Sequence, residues 1–106
     1  MDLIKNVNLI GLYDLYGGLL TDKQKQIFEF YVKKDLSLKE VSDILNITRQ
    51  AVKFTLDSIE KALNHYEEVL CIKNKFDYIK QTLNEIKDCS NNEKITAKID
   101  NILEEL

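Results

Sequence analysis

From Leu19 to Leu106 the chain contains neither proline nor glycine, and its only glycines are Gly11, Gly17 and Gly18. Sheets need tight turns, and tight turns draw heavily on those two residues. Their scarcity, together with apolar residues spaced three and four apart, predicts an all-α protein. The breaks fall at Gly17-Gly18, Lys34–Ser37, Asn46–Thr48 and Cys89–Asn92.

The first predicted helix covers Asp2 to Tyr16. Leu3, Val7, Ile10 and Asp14 share a stripe, and Leu9, Leu12, Tyr13 and Tyr16 widen it. Gly17-Gly18 is expected to close this helix in the left-handed conformation, which glycine adopts without a Cβ clash. The second helix opens at "TDKQ", where Thr21 and Gln24 form a capping box, and ends near Lys34, with Ile27, Phe28, Phe30 and Tyr31 as its apolar face. The third opens at "SLKE" with the same device, Ser37 and Glu40, and is expected to bury Leu38, Val41, Ile44 and Leu45. Ser42 is small enough for a crossing helix to approach closely.

A turn follows. Asn46 tolerates the left-handed conformation better than most residues, Ile47 plugs the core, and Thr48 caps the next helix. Helix, three-residue turn, helix is the spacing of a helix-turn-helix. The fourth helix is the longest. Val52, Leu56, Ile59, Leu63, Tyr66 and Leu70 form a heptad seam, too long to be buried wholly inside a three-helix core. Its far half must pack on the first helix, on the C-terminal helices or on a second copy of the chain. A second stripe, Ile72, Phe76, Ile79, Leu83 and Ile86, is out of phase with the first, so the helix either continues with a slip in its seam or, the favoured reading, breaks or kinks near Cys71–Asn74. A last helix from about Asn92 carries Ile95, Ile99, Ile102, Leu103 and Leu106.

Taken together, residues 1–106 read as one all-helical domain. Residues 19–63 form a helix-turn-helix core without a wing, and 64–106 a helical extension for packing or dimerisation. A homodimer through the seam is the expected assembly.

Stepping 100° per residue from Val52 turns Gln50, Lys53, Phe54, Asp57, Ser58, Lys61, Asn64 and Glu68 outward, with Arg49 at the flank. On that list Lys53 and Lys61 are cancelled by Asp57 and Glu68. The whole chain has 15 basic and 18 acidic residues, net −3. Phosphate attraction supplies most non-specific affinity for DNA, so charge disfavours DNA as the partner. Arg49 and Gln50 remain able to make bidentate base contacts. Phe54 lies about 200° from the seam; it either packs against the chain's own C-terminal helices or, as an aromatic at the centre of such a face, anchors an interface. The candidate contact residues are therefore Arg49, Gln50, Lys53 and Phe54.

Catalytic residues, cofactors and metals are not expected. His65 has no neighbouring ligands, whereas a metal site needs three or four. Gly17-Gly18 lacks the lysine of a phosphate loop. Glu67-Glu68 and Glu104-Glu105 are adjacent helix residues that do not face one another. Cys71 and Cys89 are expected as reduced thiols. No membrane span or signal peptide is expected, so the expected compartment is the cytoplasm.

"LLTDKQKQIFEFYVKKDLSLKEVSDILNITRQAVKFTLDSIEKAL" (Leu19–Leu63) resembles the helix-turn-helix of region 4 of bacterial sigma factors. Through "LLTDKQ", "SLKEVSD", "TRQAV" and "EKALNHYEEVL", the chain is more closely similar to the small bacterial YlxM-like proteins. The resemblance implies a regulatory or accessory protein linked to the signal recognition particle pathway, whose partner is that particle's GTPase or its RNA. It carries no catalytic residues. A sigma-like DNA-binding regulator and a helical dimeric scaffold are the alternatives.

Overall fold

In a computed structural model, residues 7–106 are described. They form six α-helices and no strand: α1 (Val7–Tyr16), α2 (Asp22–Phe28), α3 (Leu38–Leu45), α4 (Arg49–Leu70), α5 (Ile72–Cys89) and α6 (Glu93–Glu105). The expected start of the first helix, Leu3 included, lies outside the described residues. The chain divides into two compact units, one ending at Leu70 and the other comprising Cys71–Leu106.

Four helices build the first unit around α4, against which α1, α2 and α3 all pack. Its core is Leu9, Leu12, Tyr13 and Tyr16 of α1, Leu20, Ile27 and Phe28 around α2, Val41 of α3, and Val52, Leu56, Ile59 and Leu63 of α4. Burying each large aliphatic side chain contributes about 1.5–3 kcal/mol of transfer free energy, so this cluster dominates the stability of the unit. The buried face of α1 is the i, i+3, i+4, i+7 set from Leu9 to Tyr16. The predicted stripe through Ile10 and Asp14 is displaced from it: Ile10 is half-buried and Asp14 is exposed. The sequence "VNLIGLYDLY" is apolar on most sides, so its periodicity fixes the face poorly, and the fit against α4 decides it.

Neither Gly17 nor Gly18 has a positive φ, which corrects the expected left-handed closure. They form a 3₁₀ turn, Gly17–Leu19, closed by Leu20 N–H donating to Gly17 O at 3.0 Å. Gly17 is required for space instead. A Cβ there would lie 3.1 Å from Cε1 of Tyr13, and that ring is stacked on Phe28 with centroids 4.0 Å apart.

Both capping boxes form. The Gln24 N–H donates to Thr21 Oγ1 at 3.2 Å and the Thr21 N–H to Gln24 Oε1 at 2.9 Å. Ser37 and Glu40 exchange the equivalent bonds at 3.0 and 3.1 Å. After Phe28 the helix widens into a π-turn over Glu29–Lys33, closed by Lys34 N–H donating to Glu29 O at 2.9 Å. Phe30 and Tyr31 are only half-buried there. The widened turn rotates them away from the direction that a regular α-helix would give.

The second unit is a hairpin of α5 packed on α6. Cys71 separates α5 from α4 in the left-handed conformation, φ 55°, at the break that the phase shift predicts. Asn92 caps α6, its Oδ1 accepting from Lys94 N–H at 2.9 Å. Lys87 Nζ bridges the hairpin to Asp100 Oδ1 at 2.8 Å.

A candidate interaction surface on the helix-turn-helix

The surface begins at the end of α3. Asn46 takes φ 55°, ψ 46°, and its N–H donates to Ser42 O. Ile47 N–H reaches the same carbonyl at 3.1 Å. Both bonds end on the one Ser42 carbonyl, where the left-handed Asn46 reverses the chain. Ser42 is buried, and its hydroxyl donates to Lys39 O at 2.7 Å. Thr48 Oγ1 then accepts from Ala51 N–H at 3.0 Å and starts α4. The turn chemistry thus fixes where α4 begins, and with it the direction of every side chain on that helix.

Val52 points into the core, fully buried. The opposite face is therefore open: Arg49, Gln50, Lys53 and Phe54 are all exposed. Phe54 has 74 % of its surface in water, the largest exposure of a large hydrophobic side chain among the described residues. Lys61, Asn64 and Glu68 continue the open face, while Asp57 and Ser58 are half-buried at its edge. Ile44 departs from expectation: it is 56 % exposed. In a helix as short as α3, one face fills the contact with α4, and Val41 and Ser42 occupy it.

The seam of α4 divides into two parts. Val52, Leu56, Ile59 and Leu63 are at most 2 % exposed, covered within the first unit. Tyr66 is half-buried, its ring 6.0 Å from that of Tyr16. Leu70 is exposed. Of the possible coverings for the far half of α4, α1 supplies one: the Tyr16 hydroxyl donates to Glu67 Oε1 at 2.7 Å.

Sequence reasoning did not single out a second surface. Lys23, Lys25, Glu29, Phe30, Lys33 and Lys34 border an open depression of about 700 Å³ along α2 and the π-turn. Lys34 Nζ lies 5.1 Å above the Phe30 ring, and Lys33 Nζ 5.3 Å above that of Tyr13. The lysine spacing was visible in the sequence, but the π-turn that groups the side chains was not. Among the described residues no group of three or more His, Cys, Asp or Glu side chains is placed to hold a metal. No helix among them is long and apolar enough to cross a membrane. Both cysteines are free thiols.

Residues 3–102 match the profile of the family described as "UPF0122: Putative helix-turn-helix protein, YlxM / p13 like". The chain belongs to this family. A UPF0122 protein of Thermoanaerobacter sp. is 42% identical over 102 residues, covering 90% of this chain and 87% of its own length. The UPF0122 protein YlxM of Bacillus subtilis is 34% identical over 106 residues, covering 100% of this chain and 96% of its own. A UPF0122 protein of Caldanaerobacter subterraneus is 47% identical over 78 residues, covering 74% of this chain and 67% of its own. The matched span takes in the whole helix-turn-helix and nearly all of the hairpin that follows it. The family description agrees with the turn geometry at Asn46–Thr48.

Proposed function

We propose that this protein is a non-enzymatic regulatory or accessory protein that takes part in the signal recognition particle pathway. It binds the particle's GTPase or its RNA through the open face of α4. The observation that carries this reading is Phe54, 74 % exposed at the centre of a face whose lysines are matched by acidic residues. A surface built to hold a DNA backbone gains from a surplus of positive charge. An aromatic anchor between balanced charges suits a protein surface or an unstacked base. The choice of pathway rests on the resemblance to YlxM-like proteins alone.

The test is retention of the purified GTPase, and separately of the RNA, on the immobilised full chain at micromolar concentration. Retention that falls at least tenfold in Phe54→Ala supports the reading. Retention of neither partner by the unmodified protein rejects it.

A sigma-like DNA-binding regulator is the second reading. The intact turn favours it, because Asn46 and Thr48 present Arg49 and Gln50 at the start of the recognition helix. This reading requires that Arg49→Glu combined with Lys53→Glu weaken DNA binding and flatten its salt dependence. Unchanged affinity and slope reject it.

A further inference from the structure

Self-association, if it used the α4 seam, would have to open a core in which Val52, Leu56, Ile59 and Leu63 are already buried. The C-terminal hairpin offers a different surface. On α5, Ile72, Phe76, Ile79, Leu83 and Ile86 follow steps of four, three, four and three. On α6 and the Leu106 that caps its end, Ile95, Ile99, Ile102 and Leu106 follow four, three and four. Both are heptad seams, a pattern that calls for a partner helix with the same repeat.

The two helices only half satisfy each other. Ile99 is the one buried hydrophobic residue of the described hairpin, and Phe76 and Leu83 are half-buried. Ile79, Ile86, Ile95 and Ile102 remain 39–46% exposed, and Tyr78 beside them is 70% exposed. Shallow grooves of about 380 and 450 Å³ flank Tyr78–Ile79 and Ile86 on α5. A unit of this size has a small core, and covering its open side would add to its stability. It contains no disulfide and, among the described residues, no metal cluster.

We propose that the open side of this hairpin is a homodimer interface, on which the hairpin of a second copy completes a four-helix bundle. Charge selects that occupant. Helix α5 carries four lysines against three acidic residues, net +1, and α6 carries two lysines against four acidic residues, net −2. A two-fold axis that sets α5 of one copy against α6 of the other therefore pairs unlike charge twice, as an isologous interface requires. The two seams are also similar in length, about 21 Å and about 17 Å at 1.5 Å per residue. Such a bundle needs no residue of the helix-turn-helix, so it stands apart from the function proposed above.

Light scattering on the full chain at about 100 µM, enough to saturate a micromolar dimer, tests the proposal. The expected mass is twice 12.4 kDa. Ile86→Lys combined with Ile102→Lys returns it to 12.4 kDa, with the helical circular dichroism unchanged because both positions are already exposed. Should that pair of changes unfold the hairpin, Tyr78→Glu reads the same face from a more exposed position. Phe54→Ala keeps the dimer mass. A monomeric unmodified protein overturns the inference. So does a dimer that survives both hairpin variants, or one that Phe54→Ala dissociates.

Discussion

The Tyr16 hydroxyl donates a 2.7 Å hydrogen bond to Oε1 of Glu67, tying the last turn of α1 to the last two turns of α4 across 51 positions of sequence. Tyr16 is buried and Glu67 half-buried. A bond to a charged acceptor is stronger than a neutral one, and partial solvation reduces that advantage. Tyr16→Phe is therefore expected to cost about 1 kcal/mol in urea denaturation. A double-mutant cycle with Glu67→Ala, which removes the acceptor, should recover most of that cost as coupling. Additive single effects would show that packing, and not this bond, holds α1 in place.

Gly17 and Gly18 are adjacent, yet substitution should separate them. A Cβ on Gly17 meets three atoms of the Tyr13 ring at 3.1–3.2 Å, and the stack on Phe28 limits how far that ring can retreat. Gly17→Ala is expected to destabilise by about 1–3 kcal/mol, the usual cost of overpacking. Gly18 has nothing within 4 Å of its Cβ position and no positive φ. Gly18→Ala should be neutral or stabilise by up to about 1 kcal/mol, by restricting the unfolded chain. Thermal unfolding of the two variants, side by side, decides the matter.

The turn of the helix-turn-helix depends on the left-handed conformation of Asn46. Asn46→Ala should cost about 1 kcal/mol, and Asn46→Gly should cost nothing or stabilise. Thr48→Ala removes the acceptor of the Ala51 N–H and should cost about 1 kcal/mol. Equal stability of the alanine and glycine variants at position 46 would contradict the strain argument.

Burial, and then the negative charges of Glu29 and Asp14, hold the Tyr13 phenol above its ordinary value of 10.0. The folded protein thus keeps this proton where the unfolded chain has released it. By linkage, the stabilisation is complete below about pH 10 and is lost as pH rises through the folded-state value. Denaturant midpoints measured from pH 8 upward should fall on entering that window. Tyr13→Phe, which has no proton to lose, should flatten the fall. An identical pH profile in that variant would assign the loss to other groups.

The parts of the fold legible in the sequence are those set by neighbours in the chain. Thr21 with Gln24, Ser37 with Glu40, Thr48 and Asn92 each act within three residues, and each sits where its helix begins. Asn46 and the break at Cys71 were readable for the same reason, one from residue chemistry and the other from a slip in phase. What escaped was set by tertiary contact. The inward face of α1, the exposure of Ile44 and the tight contact of Gly17 under Tyr13 depend on partners far along the chain or on which face a short helix spends. The candidate surface divides similarly. The outward direction of Phe54 follows from a 100° step once Val52 is placed inside. The grouping of Lys23, Lys25, Lys33 and Lys34 depends on a π-turn that no local residue pattern announces.

That π-turn, Glu29–Lys33, holds one more residue than an α-helical turn of the same reach. It is equivalent to a single-residue insertion absorbed without breaking the helix. Upstream of it, Ile27 and Phe28 keep their register with the core; downstream, the chain is rotated by about 100°. Removing one residue here would let the helix straighten into a regular α-helix. It would also swing Lys33 off the Tyr13 ring and dissolve the lysine cluster. The charged depression therefore depends on the extra residue of this turn, and deleting one residue within Glu29–Lys33 is expected to remove it.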